Sequence, residues 1–180
     1  MSAFWYAKPG FEVNIKPDIE SVKIPVSMHR TDIYKPVVDE TGKIEGEFLE
    51  VISCNSGTAS TQSGNFGWSR DSQLWWRNAD TGSELITKFI LNQTAKFKIS
   101  AQLTKAVDYG IIQISINGIQ VGSEFDGYIE NGVKPFQVEL GTHALSEGEN
   151  ILSVKIIGAN KNAKPGNMVG IDWLQFTPVK

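Results

Sequence analysis

One cysteine, Cys54, stands among 180 residues, so no disulfide can close within the chain and cysteine usage leaves the redox compartment undetermined. Cys54 itself reads as a small buried apolar side chain. Histidine is nearly as scarce. His29 and His143 are the only two, and neither stands in a nucleophile motif such as G-x-S-x-G. The H-E-x-x-H and paired-cysteine spacings of zinc sites are missing. No stretch reaches the ~18 consecutive apolar residues of a transmembrane helix, which argues against membrane insertion by a helix. Residues 1–10 lack the basic start and apolar run of a signal peptide, as would any segment cut from a longer protein. With 21% charged residues and a net charge of −3, neither nucleic acid nor an anionic membrane is a favoured partner. Helical periodicity is nowhere sustained over the ~11 residues that mark an amphipathic helix. A glycosidase needs two carboxylates ~5–9.5 Å apart. The 20 Asp and Glu residues make some such pair inevitable in a fold of this size, so a pair alone indicates nothing. No intrinsic enzyme activity is expected.

What the sequence does have is alternation with period two. In residues 97–104, Phe97, Ile99, Ala101 and Leu103 alternate with Lys98, Ser100, Gln102 and Thr104, the pattern of a strand with one wet face. Ile112, Ile114 and Ile116 alternate with Gln113 and Ser115, and Asn117-Gly118 separates them from Ile119-Gln120-Val121. Asn-Gly between apolar alternations signals a hairpin, because both turn residues must reach φ > 0. Further strands are expected at 47–53, 73–77, 84–91, 136–140, 150–157 and 169–177, with a loop at 55–67. In 84–91, Leu85, Thr87, Phe89 and Leu91 share a face. Short strands at this spacing predict an all-β fold, an antiparallel β-sandwich over residues 41–180. Residues 1–40 read as an extended arm, with prolines spaced so widely that no long helix fits. Within that arm Phe4-Trp5-Tyr6 forms an apolar knot suited to burial against a neighbour.

Aromatic and polar planar groups cluster in the middle of the chain. Trp68, Trp75, Trp76 and Arg77 lie within ten residues. Alternation in 73–77 places Leu74 and Trp76 on one face, the core, and Gln73, Trp75 and Arg77 on the other. Sugar rings offer C–H faces that pack on indoles, and their hydroxyls need amide, carboxylate or guanidinium partners. Trp68 and Trp75 are therefore the candidate stacking residues. Arg77, Asp108 and Asp126 are candidates for bonding hydroxyls, with Tyr109 at the rim. A plainer reading stays open, in which Trp75 caps the sandwich edge, Trp68 plugs the core, and both aspartates bond their own turn amides. Asn160 and Asn167 belong to a polar loop that also suits a connector. Trp173 reads as core, which leaves Asp172 in or near a buried sheet, where a carboxylate requires a lysine, an arginine, backbone amides or a cation.

Several stretches occur in a telling order: Gly67-Trp68-Ser69 with Gln73-Leu74-Trp75-Trp76, then residues 103–110, then Phe125-Asp126-Gly127-Tyr128, then Val169-Gly170-Ile171-Asp172-Trp173-Leu174. That order resembles the C-terminal jelly-roll module of bacterial proteins related to glycoside hydrolase family 172. The opening Ser2-Ala3-Phe4-Trp5-Tyr6 looks like the end of their catalytic region. The resemblance implies a galactose-binding-domain-like jelly roll, shared with carbohydrate-binding modules of families 6 and 35. It implies a noncatalytic accessory module whose enzyme's catalytic carboxylates lie upstream, in a periplasmic or extracellular setting. Its partner would be a glycan or the parent catalytic domain; an assembly module that binds no sugar is the alternative. It also suggests a structural calcium between Glu45-Gly46-Glu47 and Asp172, for which a single internal salt bridge is the competing account.

Overall fold

The computed structural model describes residues 36–179. Phe4-Trp5-Tyr6 and His29 lie outside the described residues. Eleven strands follow in order: β1 (Lys43–Glu45), β2 (Glu50–Cys54), β3 (Thr58–Ser63), β4 (Ser72–Arg77), β5 (Glu84–Leu91), β6 (Ala95–Lys105), β7 (Gly110–Ile116), β8 (Ile119–Asp126), β9 (Lys134–Leu145), β10 (Gly148–Ala159) and β11 (Val169–Pro178). They form a jelly-roll β-sandwich of two antiparallel sheets. One runs β3-β4-β11-β6-β9, with β1 also on β11; the other runs β2-β5-β10-β7-β8. The helical turns among the described residues are two short 3-10 segments, Gly46–Phe48 and Ser69–Asp71.

Period-two strands bury what their alternation says they should. Leu85, Thr87, Phe89 and Leu91 of β5 are all buried, as are Leu74 and Trp76 of β4. Between the sheets Phe89 stacks on Phe176 at 4.9 Å, and Phe97 meets Phe176 edge-on at 6.1 Å. Asn117 (φ 50°) and Gly118 (φ 78°) form the tight turn that joins β7 to β8 and sets Ile116 opposite Ile119. Before β1, Val38 N–H donates to Ile90 O (2.9 Å) and Ile90 N–H to Pro36 O (2.6 Å), so these first described residues already lie along β5.

Three expectations change. The stretch 47–53 is not one strand: Glu47 sits in the 3-10 turn and β2 begins at Glu50. The expected loop 55–67 contains β3, an edge strand (Thr-Ala-Ser-Thr-Gln-Ser) paired with β4 in register from Thr58 with Arg77 to Ser63 with Ser72. Its hydroxyl-rich sequence carries almost no apolar alternation to reveal it. Third, Trp173 is only half-buried. Opposite β6, Ile171 pairs with Leu103 and Trp173 with Gln102, so β11 carries one extra residue, Asp172. That bulge reverses the faces. Ile171 points inward before it, Leu174 and Phe176 point inward after it, and Trp173 with Gln175 turns outward.

β4 and β1 share the same edge of β11, β4 against Val169–Ile171 and β1 against Trp173–Gln175. The Gly46 turn fills the junction, and a β-carbon on Gly46 would lie 1.8 Å from the Ile171 carbonyl oxygen. Backbone cannot yield as a side chain can. Gly46→Ala is therefore expected to cost about 2–3 kcal/mol, read as a lower midpoint with unchanged slope in urea unfolding.

Candidate functional site

The outer face of the six-stranded sheet carries a chain of buried polar groups. Thr104 follows Leu103, a core residue of β6, so its side chain faces outward. There its hydroxyl accepts from Trp68 Nε1–H (3.0 Å) and donates to Gln73 Oε1 (2.6 Å). Gln73 Nε2 donates to Gln62 Oε1 (2.7 Å) and to the Tyr109 hydroxyl (3.3 Å). Gly170 leaves the room for this: a β-carbon there would stand 2.2 Å from Gln73 Oε1. Trp68 and Tyr109 are each only 5% exposed. Burial pushes the Tyr109 phenol up to about 12. Trp68, a candidate for stacking on sugar, and Tyr109, expected at the rim, are thus both interior, and for Trp68 this is the plainer of its two readings. Residues 64–71 turn back onto the sheet, where the indole N–H finds the acceptor that burial demands. Phe66, whose ring lies 4.8 Å from that of Trp68 at a tilt of 49° and which is 42% exposed, takes the surface position instead.

Trp75 and Arg77 do share the outer face of β4, as alternation predicts. Both are half-buried, and the Arg77 guanidinium lies 4.9 Å over the indole ring. Trp75 pairs with Ser60 on one side and Gly170 on the other, so neither neighbour in that row is large. Its Nε1–H is buried and has no hydrogen-bond partner among the described residues. Arg77 makes no ion pair among them either.

Asp108 and Asp126 occupy one end of the sandwich, where three loops are laced together by Ala106 N to Gly127 O (2.9 Å), Lys164 N to Val107 O (2.8 Å) and Met168 N to Asp108 O (3.0 Å). Asp126 accepts from Tyr128 N (2.9 Å) and from Asn160 Nδ2 (2.6 Å). Both of its oxygens are used to hold loops, which is the plainer of the two sequence readings. Asn167 Nδ2 reaches Thr81 Oγ1 at 3.4 Å and serves the same end as a connector. The six sugar candidates therefore divide into two interior aromatics, a pair on the sheet and two aspartates at the loop end.

The acidic residues converge at the β11 bulge. Asp172 has no solvent exposure; it accepts from Ser69 N (2.9 and 3.2 Å to its two oxygens) and from Gln102 Nε2 (2.7 Å). Glu45 Oε1 accepts from Lys43 Nζ (2.9 Å) and from the Ser69 hydroxyl (2.9 Å). Lys43 Nζ also donates to Ser69 Oγ (2.7 Å) and lies 5.5 Å over the Trp173 ring. Glu45 Oε2 and Glu47 Oε2 are buried without a partner among the described residues. Glu47 and Asp172 are both held above the usual carboxylate range. Burial is the main cause for each; Glu45 raises both, and Asp172 also raises Glu47. Ser69, Gln102 and Lys43 are the residues that sequence reasoning missed. Only Lys43 left a signal, two residues before Glu45 and so on its face. Backbone strain lies next to the cluster, with Arg70 (φ 55°) and Asp71 (φ 54°) both left-handed.

The donors here suit a hard divalent cation in kind: carboxylate oxygens, two of them buried and unbonded. In spacing they fall short, since no group of three or more His, Cys, Asp or Glu among the described residues is gathered to hold a metal ion. The internal salt bridge from Lys43 to Glu45 is present.

No known family profile matches the chain, and no curated protein does. Solved structures share its fold. A Paenibacillus xanthan lyase superposes with a TM-score of 0.68 at 20% identity, over 76% of this chain and 13% of that one. The Podospora anserina GH26-CBM35 β-(1,4)-mannanase gives 0.50 at 16% identity, over 78% of this chain and 28% of that one. The insecticidal crystal protein Cry2Aa gives 0.51 at 15%, over 76% and 21%. The chain thus spans a small part of each. At such identities the likeness is one of fold, and fold alone does not choose among an enzyme, a binding module and a toxin domain.

The raised Glu47 carboxyl fixes a sign. Its folded state holds the proton more tightly than the unfolded chain does, so its contribution is fully present below about 4.5 and is lost as pH rises through the higher folded value. Glu47→Gln, a mimic of the protonated form, is expected to raise the melting temperature near pH 7.5 in chelator and to give no gain near pH 4. A lower melting temperature at the higher pH would show that the carboxylate stabilises the fold.

Proposed function

We propose that this chain is a noncatalytic carbohydrate-binding accessory module of a carbohydrate-active enzyme, and that it takes glycan on the outer face of β4. The observation that carries this is the Trp75–Arg77 pair: a half-buried indole covered by a guanidinium that lacks an ion pair among the described residues. A pyranose packs its C–H face on the exposed part of such a ring, while its hydroxyl oxygens accept from the guanidinium beside it. Asp108 is the carboxylate left for a hydroxyl at the loop end; Asp126 is not, since its oxygens hold loops. Two of the fold neighbours are, by name, a xanthan lyase and a mannanase, which supports a polysaccharide ligand. The resemblance to modules of proteins related to glycoside hydrolase family 172 supplies the parent, an upstream catalytic domain working in the periplasm or outside the cell. Binding would be weak, because a shallow site gains little beyond its ordering cost.

The acidic cluster belongs to the same proposal. By the family resemblance Glu45, Glu47 and Asp172 would hold a structural Ca²⁺, which requires them to draw closer than they stand here and the free Glu45 and Glu47 oxygens to turn to the ion. A second reading, a module that packs on a neighbouring catalytic domain without binding sugar, is favoured by the interior position of Trp68.

Affinity gels cast with neutral and acidic polysaccharides test the first reading. Trp75→Ala and Arg77→Ala are expected to lose retention by about fivefold or more with the melting temperature kept, whereas Trp68→Ala loses stability. Full retention in both outer-face variants would favour the assembly module. For the cation, Ca²⁺ added after chelation is expected to raise the melting temperature by several degrees in the wild type but not in Glu47→Gln. No rise in the wild type would leave Lys43 and Arg70 as the cations facing the cluster.

A further inference from the structure

The corner where β9 begins carries a second, separate anomaly. Lys105, the last residue of β6, stands directly opposite Lys134, the first of β9. Residues paired across antiparallel strands share a face, and like charges placed so repel one another. Neither lysine has an ion pair among the described residues, although acidic residues outnumber basic ones in the chain by 20 to 17. Two positions along β9, Phe136 pairs with Leu103 and so lies on the same face as both lysines, yet it is 50% exposed. The Lys105 ammonium lies 4.8 Å from the Phe136 ring and 4.9 Å from that of Phe125, and the two rings are 6.0 Å apart. One sheet edge thus presents a half-exposed phenyl ring, a lysine drawn onto it by cation–π attraction and a second lysine free beside it.

We propose that Phe136, Lys105 and Lys134 form a binding site for an anionic polysaccharide, one whose sugars bear carboxylate or sulfate groups. The exposed ring gives the flat apolar surface on which C–H faces pack, and the two ammonium groups receive the anion. Occupation by such a ligand relieves the repulsion that the paired lysines impose on the empty sheet edge. The site is independent of the one at Trp75. β11 and β6 lie between β4 and β9, three strand spacings or about 14 Å. The two sites also look out from different faces of the sheet.

Affinity electrophoresis of the full chain through gels of polygalacturonate, dextran sulfate, poly-L-glutamate and neutral galactomannan tests this, with melting curves as the control for folding. The wild type is expected to be retarded by polygalacturonate or dextran sulfate, whichever carries the fitting anion, and less so as salt rises. Lys134→Glu and Phe136→Ala should each weaken that retention about fivefold or more, and Trp75→Ala should leave it unchanged. Retardation in neither anionic gel, or retention untouched by Phe136→Ala, overturns the proposal; the latter would show charge attraction without a site. Equal retention by poly-L-glutamate would assign the patch to an acidic protein, and loss in Trp75→Ala would assign the anion to the β4 face. Both outcomes overturn it as well.

Discussion

A carboxyl group without solvent contact in the middle of the central strand is the constraint from which most of the outer face follows. Asp172 can be kept there only with donors around it, and the donors come from two distant places. Gln102 reaches across from β6, and the amide of Ser69 comes from a loop 103 residues away in sequence. Holding that amide fixes the course of residues 64–71. Once the loop lies on the sheet, its preceding residue, Trp68, is brought over Thr104, and the chain through Gln73 to Tyr109 can close. The extra residue that places Asp172 is also what turns Trp173 outward, beneath the Lys43 ammonium. One polar group thus sets the position of two tryptophans.

Local pattern was enough where the physics is local. The alternation of β5, the two faces of β4 and the Asn117-Gly118 turn could all be read directly, because period two and positive φ are properties of a few adjacent residues. Three features were out of reach for a common reason. Nothing near Asp172 announces the bulge, since a bulge exists only relative to the partner strand. β3 is a strand because β4 offers it an edge, not because Thr-Ala-Ser-Thr-Gln-Ser has a strand's apolar rhythm. Trp68 could be read either as a stacking residue or as a plug for the core, because the acceptor that decides between them, Thr104, lies 36 residues on. That Asp172 needs a partner was legible in its strand, while its grouping with Glu45 and Glu47 came from the family resemblance alone. Its donors and the competing lysine were not legible.

The sandwich gives every side chain discussed here a fixed platform, and the same platform occurs in proteins of unlike purpose. Some groups in this chain remain unpaired among the described residues. Folded proteins satisfy nearly all buried donors and acceptors internally, so the exceptions carry information. At Trp75 the exception is a donor on an aromatic ring, and at Glu45 and Glu47 it is a pair of acceptors. At Lys105 and Lys134 it is an excess of one charge.

The route by which the chain enters the sandwich has a mechanical consequence. Residues 36–38 are bonded to β5 in one sheet, and only after the tight turn at 39–42 does the chain join β11 in the other. Tension on the leading segment must strip the bonds between Pro36, Val38 and Ile90 before any load reaches β1. The two backbone bonds at Ile90 act as a strain relief for the Glu45 cluster, much as a cable clamp spares the joint behind it.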